Sequence, residues 1–159
     1  MMIEVTVKET EPMTVAFAAM RGAYAQIPDA MSRVYGYAGQ SGLVPAGMPH
    51  AVYFTPPEQG PESEAVWEVW APVVGEPPES GPDANGLGVK RVASKLVAST
   101  MYKGPYEGIE PTYRELGQWV ADHGYDMAGP PEELYYSDPA DTPPEEYLTE
   151  IRFPVRKRQ

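Results

Sequence analysis

Trp67-Glu-Val-Trp-Ala-Pro-Val73 and Thr149-Glu-Ile-Arg-Phe-Pro-Val155 read as two versions of one strand, each with glutamate in second place and Pro-Val at its close. They lie 82 residues apart, and the same offset of 82 joins Met20-Arg-Gly-Ala-Tyr24 to Tyr102-Lys-Gly-Pro-Tyr106. Without a gap it also pairs Gly42 with Gly124, Gly47 with Gly129, Pro49 with Pro131 and Tyr53 with Tyr135. One such match means little; this many in a single register indicate a chain that repeats itself once.

Each half reads strand, helix, strand, strand. Ile3-Val5-Val7 alternates with polar residues, Thr14 to Ala19 is small and apolar, and Val89 to Met101 supplies the matching segment of the second half. Ile27, Met31, Val34, Tyr35 and Ala38 then recur at helical spacing, as do Ile109, Tyr113, Leu116, Gly117 and Val120, so each helix buries one face. Gly39 or Gly42, and Gly124, stand where a left-handed cap would end those helices. Ala51 to Thr55 and Glu133 to Ser137 predict short third strands; Val66 to Val73 and Tyr147 to Val155 predict longer fourth strands beyond Pro- and acid-rich loops. The expectation is an α+β fold over residues 1–159, with β-α-β-β repeats at about 2–74 and 89–156 and a breaker-rich linker at 75–88. A sheet covered by a helix on one face leaves the other bare, so two copies related by a pseudo-twofold axis are expected to enclose a small-molecule cleft.

Composition narrows the functional classes. At 159 residues the chain is one ordinary domain in size, long enough to bury roughly two thirds of its unfolded surface. Its 12 Lys and Arg stand against 23 Asp and Glu, a formal charge of -11 that repels a phosphate backbone, so direct nucleic-acid binding is not expected. With no cysteine, thiolate chemistry and Cys-ligated metals are excluded. The N-terminal residues lack a basic segment followed by an apolar one, and no apolar run is long enough to span a bilayer; the expectation is a cytoplasmic protein without membrane attachment. Gly86-Leu-Gly88 lacks the third glycine of a dinucleotide loop, and His50 and His123 have no partners at metal or triad spacing, so no cofactor and no metal are expected. The adjacent acids Glu132-Glu133 and Glu145-Glu146 neighbour prolines and read as solvated loop charge.

The repeat, the Gly-Pro-Tyr turn at 104 to 106 and the closing Thr-Glu-Ile-x-x-Pro-Val strand resemble the GyrI-like small-molecule-binding domain, the effector-binding domain of AraC-type and MerR-type multidrug regulators, across about Ile3 to Arg156. The resemblance implies a cleft that takes amphipathic, often cationic molecules, with an acidic residue of the last strand in an aromatic-walled pocket; the matching position is Glu150. Regulators of this kind carry a helix-turn-helix, of which no basic recognition helix is seen here. Gyrase-inhibitor members act through a protein partner, for which no specific motif stands out. Other stand-alone members resemble hydrolases of cyclopropane-containing electrophiles that use a Tyr–Glu pair.

Alternation along the last strand puts Thr149, Ile151 and Phe153 on one face and Leu148, Glu150 and Arg152 on the other, so Glu150 is expected away from the helix. Glu68 is its repeat mate, with Trp70 on the same face. Tyr24, Tyr53, Trp67, Trp70, Tyr106, Trp119 and Tyr136 are the aromatic candidates to stack on a flat or cationic ligand. For a hydrolase, Glu150 is the expected base and Tyr106 or Tyr135 the proton donor. Desolvation would raise the pKa of a carboxylate in an apolar cleft, and a ligand cation would offset that cost.

Overall fold

The computed structural model describes residues 3–55, 64–137 and 141–159, which form two compact units. The first unit is Glu11–Ser94; the second joins Met1–Thr10 to Lys95–Gln159.

In the first unit β2 (Met13–Arg21), α1 (Ile27–Gln40), β3 (His50–Tyr53), β4 (Val66–Val73) and β5 (Leu87–Val92) follow in chain order. The strands are antiparallel in the order β3-β4-β2-β5. Alternation gives the sheet two apolar faces. Ala16, Ala18, Trp67, Val69, Ala71 and Val73 pack with Ala30, Val34 and Ala38 of α1. Val15, Phe17, Val52 and Trp70 cluster on the opposite face. The run of alanines lets α1 approach the sheet closely, while Trp67 fills the deepest space and donates its indole N–H to the Gly22 carbonyl at 2.9 Å.

In the second unit β1 (Thr6–Glu9) precedes β6 (Leu96–Lys103), α2 (Glu110–Asp122), β7 (Tyr125–Met127), β8 (Glu132–Tyr135) and β9 (Leu148–Lys157). The order is β1-β6-β9-β8, with β7 paired to the far end of β9. Ala98, Ile151, Phe153 and Val155 face Leu116 and Val120 of α2. This is the alternation expected of the last strand, and it puts Glu150 and Arg152 on the opposite face.

The expected α+β class and antiparallel strands with one α-helix per unit are found. The boundaries differ from those expected. β1, expected in the first repeat, pairs with β6 of the second unit, and Leu87–Val92, expected to straddle the linker and the second repeat, pairs with β2 of the first. Alternation specifies which face of a strand is buried but not which neighbour supplies its hydrogen bonds. Both helices end where glycine was expected, with Gly42 at φ +73° and Gly124 at φ +81°. Among the described residues no helix is long and apolar enough to cross a membrane, and no group of three or more His, Asp or Glu side chains is placed to hold a metal.

Candidate functional site

The side chains richest in chemistry lie at the N-terminal end of α2, on the helix-facing side of the second unit. Glu133 and Tyr135 stand two apart on β8 and therefore share a face, opposite Ile151 and Thr149 of β9. Glu133 is only 8% exposed. Tyr113 of α2 donates its hydroxyl to Glu133 Oε2, and Tyr135 donates to Oε1 at 2.8 Å. Tyr106 meets the Tyr135 ring edge-on at 5.7 Å and stacks on Tyr147 at 5.0 Å. Burial, with the neighbouring Tyr147 and the Glu133 charge adding to it, raises the Tyr106 pKa, so its hydroxyl holds its proton at neutral pH. Tyr106 is 36% exposed, so this tyrosine box reaches solvent along one edge.

The turn before α2 sets that edge. Gly104 sits at φ +139°, a conformation that L side chains rarely adopt, and a Cβ there would meet the Tyr102 hydroxyl at 3.0 Å. Its N–H donates to the Tyr147 carbonyl at 2.8 Å, and Tyr102 donates its hydroxyl to the Pro105 carbonyl at 2.6 Å. The Gly-Pro-Tyr turn is thereby tied to β6 and to the start of β9, with Tyr106 laid on Tyr147. Thr149 lies beneath it, flanked in register by Tyr102 and Tyr135. Thr149 is fully buried, and its hydroxyl has no hydrogen-bond partner among the described residues.

Residues 3–156 match the GyrI-like small molecule binding domain. The chain belongs to that family. No curated protein matches the sequence. Among solved structures, EcmrR in its complex with DNA is similar, with TM-score 0.83 and 20% identity, over 98% of this chain and 58% of that one. This GyrI-like chain thus spans little more than half the length of that protein. The EcmrR C-terminal domain alone gives TM-score 0.77 and 22% identity over 99% of both chains. A hydrolase from Listeria innocua gives 0.70 and 15% over 98% of this chain and 93% of that one. SAV2435 bound to tetraphenylphosphonium gives 0.58 and 18% over 97% and 94%. At these identities the likeness is one of fold.

Glu150 of the GyrI-like domain lies on the face away from α2, 2% exposed. It accepts hydrogen bonds from Ser99 at 2.6 Å, Tyr136 at 2.5 Å and Arg152 Nε at 2.8 Å, and pairs with Lys8 Nζ at 2.9 Å. Desolvation pushes its pKa up, as expected, but the Arg152, Lys8, Ser99 and Tyr136 donors outweigh it and bring the value down to about 2. This corrects the expectation of a raised pKa: two cations already match the charge. Tyr136 is the converse case. Burial first, then its bond to the Glu150 carboxylate, raises its pKa to about 12.

Glu68 is likewise paired in the first unit, with Lys90 Nζ at 2.5 Å, and accepts from the Trp70 indole at 2.8 Å. Trp67, expected as a pocket wall, is instead fully buried in the α1 core because its side of β4 faces the helix. Tyr53 packs at the edge of that core. Trp119 lies six residues beyond Tyr113 on α2, stacked on His123 at 3.9 Å and apart from the tyrosine box. The side chain of Tyr24 lies outside the described residues. Of the expected residues, Tyr106 and Tyr135 come together in the tyrosine box, Tyr136 meets Glu150 on the opposite face, and Trp70 meets Glu68 in the first unit.

Sequence reasoning missed Glu133, Tyr113, Tyr147 and Thr149. Glu132 and Glu133, expected as solvated loop charge, are both buried in β8, with Glu132 paired to Lys95. Two signals were available. Glu133-Leu-Tyr135 alternates within a predicted strand, and the offset of 82 sets Glu133 against Ala51 and Thr149 against Trp67. The structure gives those pairs matching registers, Tyr53 opposite Trp67 in one unit and Tyr135 opposite Thr149 in the other.

Proposed function

We propose that the tyrosine box of the second unit binds a flat or aromatic organic cation, with Glu133 as its counter-charge. The observation that carries this reading is a buried carboxylate that accepts from the Tyr113 and Tyr135 hydroxyls, with the Tyr106 and Tyr147 rings stacked beside Tyr135. Two hydroxyl donors hold the Glu133 carboxylate among ring faces, the surroundings that suit an organic cation, whereas Glu150 sits against Arg152 and Lys8. Ring faces attract cations at about 0.5–2 kcal/mol per contact. Thr149, where the first unit has a tryptophan, leaves the row short of an indole's volume. The tetraphenylphosphonium held by SAV2435 is of the chemical class this box suits. Titrating tetraphenylphosphonium into isotope-labelled protein should move the ring resonances of Tyr106, Tyr113, Tyr135 and Tyr147 together. Shifts confined to other residues would refute the placement.

The Tyr–Glu hydrogen bonds favour a second reading, hydrolysis of a strained electrophile such as a cyclopropane conjugated to a carbonyl. Glu133 would take a proton from water as the water oxygen bonds to a ring carbon. The ring C–C bond from that carbon to the carbon bearing the carbonyl would break as the C–O bond forms, with a tyrosine hydroxyl delivering its proton to the departing carbon and regaining one from Glu133; both proton-transfer groups must lie within hydrogen-bond reach. Mass spectrometry decides: a product heavier by one water that forms with wild type and not with Glu133→Gln supports this reading, and unchanged substrate dismisses it. The neighbour described as a hydrolase keeps the experiment pertinent.

A further inference from the structure

We propose that the first unit carries a separate recognition site for primary ammonium groups, and that Lys90 occupies it as a built-in ligand. On the sheet face opposite α1, Lys90 Nζ lies 2.5 Å from Glu68 Oε1, 4.6 Å from the centre of the Phe17 ring and 5.3 Å from that of Trp70. The Trp70 indole N–H donates to the same Oε1 at 2.8 Å and so fixes both the carboxylate and its own ring. An ammonium set over two ring faces and against a carboxylate held at the edge of one of them is a cation-recognition arrangement rather than a bare ion-pair clip.

The second unit provides the contrast. At the offset of 82, Lys8 and Glu150 repeat the Lys90–Glu68 pair, 2.9 Å apart. Where the first unit has Phe17 and Trp70, the second has Ser99 and Arg152. The Lys–Glu pair therefore recurs beside the ladder of an edge strand in either unit, and the aromatic walls belong to the first. A cavity of about 260 Å³ adjoins the ammonium, lined by Phe17, Ala19, Glu68, Pro82, Val89 and Lys90. It offers room for the apolar body of a small amine. The Lys90 side chain is 31% exposed and flexible, so its ammonium can withdraw to water and yield its place. The ligand class is a primary amine with a short apolar body. None of these residues belongs to the tyrosine box, so the two sites stand or fall separately.

The test is chemical rescue in Lys90→Ala, with n-butylammonium as probe and n-butanol as its neutral counterpart. The variant should melt below wild type, recover in millimolar n-butylammonium, and bind it at least tenfold more tightly than n-butanol and at least tenfold more tightly than wild type does. Adding Glu68→Gln should abolish the preference. Equal binding of amine and alcohol, or no gain over wild type, overturns the proposal. Should Lys90→Ala fail to fold, wild type carrying ¹³C-dimethylated lysines serves. The Lys90 methyl signals, identified by their absence in Lys90→Arg, should be shifted upfield by the two rings and should return toward the solvent position as n-butylammonium is added. Signals at the solvent position from the start, or unmoved by the amine, overturn it.

Discussion

Glu150→Gln separates an internal ion-pair network from a ligand carboxylate. In the folded chain the Glu150 pKa is about 2 against an ordinary 4.5, and each pKa unit corresponds to about 1.4 kcal/mol. Taken whole, the shift would be worth about 3 kcal/mol; Lys8 is 41% exposed, which screens its share, so about 2 kcal/mol is expected near neutral pH. For a chain of this length that lowers Tm by about 4–8 °C. Because the folded pKa is depressed, the contribution is complete above about pH 4.5 and fades as pH falls through about 2. Melting curves of wild type and variant should thus differ by a constant interval from pH 5 to 8 and draw together as pH falls from about 4.5 toward 2. Binding of tetraphenylphosphonium should survive the substitution. An unchanged Tm with binding lost would refute the reasoning and return Glu150 to the ligand site.

Thr149→Trp places in the second unit the residue its first-unit counterpart carries; tetraphenylphosphonium affinity should fall at least tenfold, while Thr149→Val, which removes only the hydroxyl, should bind within a few-fold of wild type by calorimetry. Trp67→Ala should cost about 3–5 kcal/mol in urea unfolding, the range for deleting a buried indole, without altering affinity in the second unit. Spectrophotometric titration should find a tyrosine that ionises near pH 12 and is missing in Tyr136→Phe. Since that pKa is raised on folding, its share of stability is complete below pH 10 and lost as pH rises through about 12, where wild type and Tyr136→Phe should converge.

Much of the architecture was legible because two periodicities and one offset constrained it together. Val66 to Val73 and Leu148 to Val155 alternate, Ile109 to Val120 recurs at helical spacing, and the offset made each half a check on the other. The exchange of β1 and β5 between units was not legible, since both are short edge strands with similar Lys-bearing patterns, and pairing partners leave no mark on alternation. At the site, Tyr106 was readable from the Gly-Pro-Tyr turn. Glu133 was missed although its strand alternates, because an acid beside prolines usually faces water and its burial comes from tertiary packing under Tyr113. Glu150 and Glu68 were the reverse case. Their place on strand faces was right, but the cations opposite them come from Lys8 and Lys90, distant in sequence, and local patterning carries no sign of such partners.

Isothermal titration of tetraphenylphosphonium and a neutral isostere, such as tetraphenylmethane made soluble by a neutral polyether, into wild type, Glu133→Gln and Glu150→Gln tests the central claim most directly. Glu133→Gln should weaken the cation at least tenfold and the neutral compound hardly at all, with Glu150→Gln close to wild type for both. Equal weakening of cation and neutral compound in Glu133→Gln, or loss of the cation in Glu150→Gln alone, would contradict the assignment of the tyrosine box as the binding site.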